Sequence, residues 1–142
     1  MKREVCFRLF ILLSALNLPL YLIARSPLKK GAFIYQNDTL RYQYHLPKDD
    51  GTKKPVILWL HGKGERERDN EKPFANGLPA IYDSIRMNEA YDCFLLVPQC
   101  NADGFWSFYD KTLPRFIQSK EAPPIQKLLL AWIDDWFNKH FT

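Results

Sequence analysis

A chain of 142 residues that is 46% hydrophobic is long enough for one domain with an ordinary core. Its formal net charge is +4, and +3 of that sits in residues 1–26, so the remainder is near neutral and nucleic-acid binding, which needs a clustered basic face, is not expected. No pair among Cys6, Cys93, Cys100, His45, His61 and His140 has metal-ligand spacing, so neither a metal nor another cofactor is expected.

Met1 to Arg8 is a basic start carrying Lys2, Arg3 and Arg8, and Leu9 to Ala24 is apolar except for Ser14 and Asn17. With the small residues of Ala24-Arg25-Ser26 after it, this reads as a secretory signal over residues 1–26. Residues 27–142 would then be the mature chain, secreted or periplasmic. An uncleaved membrane anchor is the alternative, because Pro27 directly after the junction hinders processing. Against a span, the apolar run is shorter than the roughly 20 residues a bilayer needs.

Ala32–Tyr35 and Thr39–His45 read as two strands joined by a turn at Gln36-Asn37-Asp38. In the second, Leu40, Tyr42 and Tyr44 alternate with Arg41, Gln43 and His45, the pattern of a half-buried antiparallel strand. After a polar loop at Pro47–Lys54 comes Val56–Leu60, a short unbroken apolar run predicted to be an interior strand buried on both faces. It opens at His61-Gly62 into a loop with glycines and a run of charges. That arrangement places backbone N–H groups at the carboxyl end of a sheet, where open α/β sheets bind ligands.

Glu71–Met87 reads as a helix broken by Gly77 and Pro79, with Ile81, Ile85, Ala80 and Ser84 on one face. Cys93–Val97 is a second interior strand, ended by Pro98. Cys93 and Cys100 flank it about 20 Å apart, too far for a disulfide, and read as small buried residues. A loop from Asn101 to Thr112 carries Phe105, Trp106, Phe108 and Tyr109, either a rim facing a substrate or a cover over apolar core. Pro123–Phe141 is the clearest helix, with Ile125, Leu128, Leu129, Trp132, Ile133, Trp136 and Phe137 in one stripe. Strands alternating with helices after a hairpin make the fold class α/β.

Two segments carry a resemblance. LHGKGERERDNEK, from Leu60 to Lys72, resembles the LHGxGERGxDN segment of secreted α/β-hydrolase esterases related to polyhydroxybutyrate depolymerases, feruloyl esterases and phospholipase-type carboxylesterases. Phe94-Leu95-Leu96-Val97-Pro98-Gln99-Cys100, followed by Trp106, resembles that family's strand ending in PQC and its tryptophan. The resemblance runs from about Gly31 to the C-terminus and corresponds to the N-terminal half of such a domain. It implies an α/β-hydrolase-like sheet with an initial hairpin, two interior parallel strands and flanking helices.

The resemblance also implies roles. The backbone N–H of Lys63 would be one oxyanion-hole donor, and His61, Gly62, Gly64 and Trp106 would lie toward the substrate. Arg66 and Asp69 would brace the loop through ion pairing. Glu67 stands where the family has glycine, and a positive φ there would cost roughly 1 kcal/mol or more. In that fold, the strand at Val56–Leu60 lies between the one at Cys93–Val97 and the strand bearing the nucleophile.

The catalytic parts are missing. None of Ser14, Ser26, Ser84, Ser107 and Ser119 lies in the G-x-S-x-G elbow of this fold, and the Ser, acid, His order places the triad beyond Thr142. The expected function is therefore a truncated or split secreted serine esterase fragment, inactive alone. Its expected partner is a separately encoded C-terminal hydrolase half, with an ester as substrate only after complementation. The alternative is a non-catalytic secreted protein that binds a carbohydrate or a partner through the aromatic loop Phe105–Tyr109.

Overall fold

A computed structural model of the chain describes residues 26–107 and 121–141. The signal reading of residues 1–25, and the aromatics Phe108 and Tyr109, lie outside the described residues. Strands β1 (Lys29–Tyr35) and β2 (Asp38–His45) form an antiparallel hairpin in which Tyr35 faces Asp38. The turn is tighter than expected: Gln36 and Asn37 alone make it, with φ of 48° and 67°. Two left-handed residues match the twist of a two-residue hairpin loop.

β4 (Phe94–Gln99) pairs antiparallel with β2 and parallel with β3 (Val56–Leu58), giving the order β1-β2-β4-β3. β2 is thus interior, and its polar face is not solvated as the alternation suggested. Gln43 is fully buried. Its Nε2 donates to Asn70 O at 2.9 Å, and its Oε1 accepts from Ser26 Oγ. A buried amide is tolerable because both ends are bonded.

β3 departs most from expectation. It is short and lies at the edge, with Ile57 37%, Leu58 38% and Leu60 44% exposed. The composition is that of an interior parallel strand, but among the described residues nothing covers its outer side. Pro98, expected to end its own strand, instead stands inside β4 opposite Tyr42. On the β3 side of β4, Phe94 N donates to Pro55 O at 2.9 Å and Trp59 N donates to Leu96 O at 2.8 Å. The next residue in that alternating series is Pro98, which has no N–H to give. Pro98 therefore ends its neighbour β3 rather than β4, and frees the backbone beyond Trp59 to become the loop.

Of the helix predicted over Glu71–Met87 only α1 (Leu78–Met87) forms: residues 71–77 are turns and loop, and Pro79 sits in the first helical turn, where a missing N–H is tolerated. It buries Leu78, Tyr82 and Ile85, whereas Ala80 and Ser84 are exposed, a correction to the predicted face. With Leu28, Cys93, Leu95 and Val97 it makes one core. Helix α2 (Pro124–His140) packs Ile125, Leu128, Leu129, Trp132 and Trp136 with Leu40, Leu96 and Cys100 in a second core. The Tyr42 ring, 4.7 Å from that of Trp132, covers Gly31, where a Cβ would lie 2.3 Å from the tyrosine Cζ. Phe137, predicted in the stripe, is 42% exposed at the end of α2. Cys93 and Cys100 are free and buried.

Candidate functional site

The chain leaves β3 through Trp59 and Leu60 and turns at His61. His61 is buried, and burial is the main reason its imidazole titrates below 6.5, against the opposing pull of the Gly62 carbonyl and Glu65. Both ring nitrogens are engaged. Nε2 accepts the Cys100 N–H at 2.9 Å, which fixes the other proton on Nδ1, 2.7 Å from Gly62 O. The ring expected near a substrate is instead an internal brace joining the β3 loop to the end of β4.

Beyond it, Gly62 is extended and Lys63–Glu65 forms a 3₁₀ turn. Gly62, Lys63 and Gly64 are all exposed. The first N–H groups of such a turn have no acceptor inside it. The Lys63 amide thus stands at the carboxyl end of a parallel strand pair, at the solvent face, where open α/β sheets bind ligands. Glu65 folds back beneath the turn. Its carboxylate accepts from Asn76 Nδ2, its carbonyl accepts from Gln99 Nε2 at 3.2 Å, and its Oε2 lies 3.3 Å from where a Gly62 Cβ would stand.

Arg66 and Asp69 hold the loop by other means than opposite charges. Arg66 Nη1 donates to Gly104 O at 2.9 Å and Nε to Lys63 O at 3.1 Å, and the guanidinium lies 4.6 Å over the Phe105 ring. Asp69 Oδ1 accepts from Gln99 Nε2 at 2.8 Å and from the amides of Glu71 and Lys72. Burial works against its charge, yet these donors hold its carboxyl below the usual aspartate value. Glu67 is not in the left-handed region, so it carries no glycine-type strain. Its amide bonds Cys100 O at 3.1 Å and its carboxylate pairs with Lys72.

Trp106 faces inward as well, donating Nε1–H to His61 O at 3.0 Å. Gly104 admits no side chain: a Cβ there would lie 2.2 Å from Asn101 Oδ1 and 2.7 Å from Cys100 Sγ. Residues that sequence reasoning passed over complete the framework. Gln99 Oε1 accepts from Asn70 N at 2.7 Å, and Asn70, at φ 55°, donates to the Gly31 and Tyr42 carbonyls. The signal available was a glutamine at the end of an otherwise apolar strand.

A groove of about 760 Å³ lies elsewhere, lined by Leu46, Lys53, Phe94, Phe137 and Phe141. It opens at the amino end of β3 and β4, opposite the loop, and so is not where strand topology places a ligand. Among the described residues no group of His, Cys, Asp or Glu could hold a metal ion, and no helix is long and apolar enough to cross a membrane.

No family model matches the chain, and no curated protein does. Among solved structures, the chain is similar to the crystal structure of a thermostable esterase, at 29% identity and a TM-score of 0.55. The match covers 75% of this chain and 30% of that one, so the chain spans under a third of its neighbour. The fold is a small mixed sheet with flanking helices, similar to part of an esterase fold.

Proposed function

We propose that this chain is the N-terminal portion of an exported α/β-hydrolase-type carboxylesterase, inactive by itself. One observation carries the reading: β3, the strand that delivers the glycine loop, lies at a sheet edge that no described residue covers, while the loop beyond it is braced by His61, Arg66 and Gln99. A scaffold is thus built around a donor position with no nucleophile beside it in sequence. The esterase likeness supports the same assignment.

In the chemistry proposed, a serine elsewhere attacks the ester carbonyl and the oxygen gains charge. The Lys63 N–H donates one hydrogen bond to it, and the amide after the nucleophile donates the other. Loss of one such donor costs about 3–4 kcal/mol in the transition state. The His61, Arg66 and Gln99 bonds keep the Lys63 turn in place before substrate arrives. The segment that would supply the nucleophile strand, acid and base is the proposed partner.

The aromatic-loop reading has less support among the described residues: the Trp106 Nε1–H is engaged by His61 O, and the Arg66 guanidinium lies over one face of Phe105.

The test is the purified chain on a chromogenic short-chain ester, with a fluorophosphonate probe for an activated serine. The expected result is hydrolysis no faster than an albumin control and no labelled serine. Turnover with stoichiometric labelling of one serine would refute the proposal.

A further inference from the structure

Ser26, assigned by sequence to the discarded segment, is built into the fold. Its N–H donates to Glu71 Oε2 at 3.2 Å, and its hydroxyl donates to Gln43 Oε1 and accepts from Leu28 N at 3.2 Å. Gln43 is fully buried and Leu28 is 5% exposed within the α1-side core. Glu71 also pairs with Lys30 at the start of β1. Removal of Ser26 would strip the Gln43 carbonyl of its hydroxyl donor inside the protein, a loss that is costly because water cannot replace it there.

We infer that Ser26 belongs to the folded unit, and that Glu71 is the receptor for its nitrogen. The processing junction therefore lies on the N-terminal side of Ser26, not between Ser26 and Pro27. This extension rests on the export reading. Hydrolysis of the Arg25–Ser26 bond by a peptidase would break the carbonyl carbon–nitrogen bond, leave a carboxylate on Arg25 and give Ser26 a free amine. That amine, protonated at neutral pH, would face Glu71 Oε2 and turn a hydrogen bond from a neutral amide to the carboxylate into an ion pair. A cut one bond earlier leaves the anchor equally whole. The junction also no longer places proline first in the mature chain, which removes the objection that Pro27 raised.

Two measurements test this. The full chain is expressed with its own N-terminus in an exporting host, and the intact mass of the exported product is determined. A cut product whose first residue is Ser26 or one shortly before it supports the proposal; a first residue at Pro27 or later, or an exported chain left uncut, overturns it. Separately, Ser26→Ala in the full chain should raise amide exchange at Leu28 and Gln43 about fivefold or more, as expected for one lost buried hydrogen bond. Unchanged exchange overturns the anchor. A chain that is neither exported nor cut defeats the export reading, and the Ser26→Ala result alone then decides the anchor.

Discussion

The Cys100 amide donates to His61 Nε2 at 2.9 Å, so the end of β4 is held by an imidazole from the loop after β3. Protonation at Nε2 removes the acceptor, and burial already holds His61 below its ordinary 6.5. His45 is shifted the same way, also mainly by burial. A histidine depressed in the folded state binds fewer protons there than in the unfolded chain. Stability is therefore complete above about pH 6.5 and falls as pH drops through the depressed folded values. The urea midpoint should decline from about pH 8 to about pH 5. His61→Leu, which orphans the Cys100 N–H, should cost about 1–3 kcal/mol and flatten that decline. An unchanged midpoint for this variant would show that the bond is idle.

Gly104→Ala forces a methyl into Asn101 Oδ1 and Cys100 Sγ. The expected loss is about 1–3 kcal/mol, seen as a lower thermal midpoint. Gly64 has open space around its Cβ position and no positive φ. Gly64→Ala should stay within about 0.5 kcal/mol of the parent. Equal losses for the two would contradict the packing described at Gly104.

Burial pushes the Cys100 thiol up to about 11, and it raises Cys93 as well. Neither presents thiolate at neutral pH. Both should react with iodoacetamide at least a hundredfold or so more slowly than in urea. Mass mapping of labelled peptides checks this, and native labelling of Cys100 would mean that the α2-side core opens.

The edge at β3 predicts self-association. Leu58 is 38% exposed, so a lysine there gives up little burial and adds the charge that natural edge strands use against pairing. Sedimentation velocity should show the mean mass of the parent rising with concentration, and Leu58→Lys shifted toward monomer. A parent that stays monomeric throughout would argue that the edge is harmless.

The hairpin was legible because Leu40, Tyr42 and Tyr44 alternate and Gln36-Asn37 accepts left-handed backbone. Helix α2 was legible from apolar spacing, except where its stripe outran its cover at Phe137, whereas α1 is shorter than read and its face was misplaced at Ala80 and Ser84. β3 was misjudged in burial for a definite reason: apolar residues on both faces describe an interior strand, and composition does not reveal whether a neighbour is present. Gln43 read as a solvated polar position, and Gln99 only as part of a motif, because pairing across three segments is invisible in a local pattern. The loop from His61 to Asn70 was found through its resemblance, but the inward direction of His61 and Trp106 needed coordinates. The same holds for Ser26, whose partners lie 17 and 45 residues away.

The central claim is that β3 waits for another strand, and amide exchange at Leu58 tests it most directly. Trp59 N is bonded to Leu96 O, so the alternating ladder turns the Leu58 N–H toward the uncovered side. In dilute solution, where the chain is monomeric, Leu58 should exchange far faster than Trp59 or the interior amides Leu95 and Val97. Leu58 as strongly protected as Leu95 in a monomer would contradict the account, because the edge would then be covered within this chain.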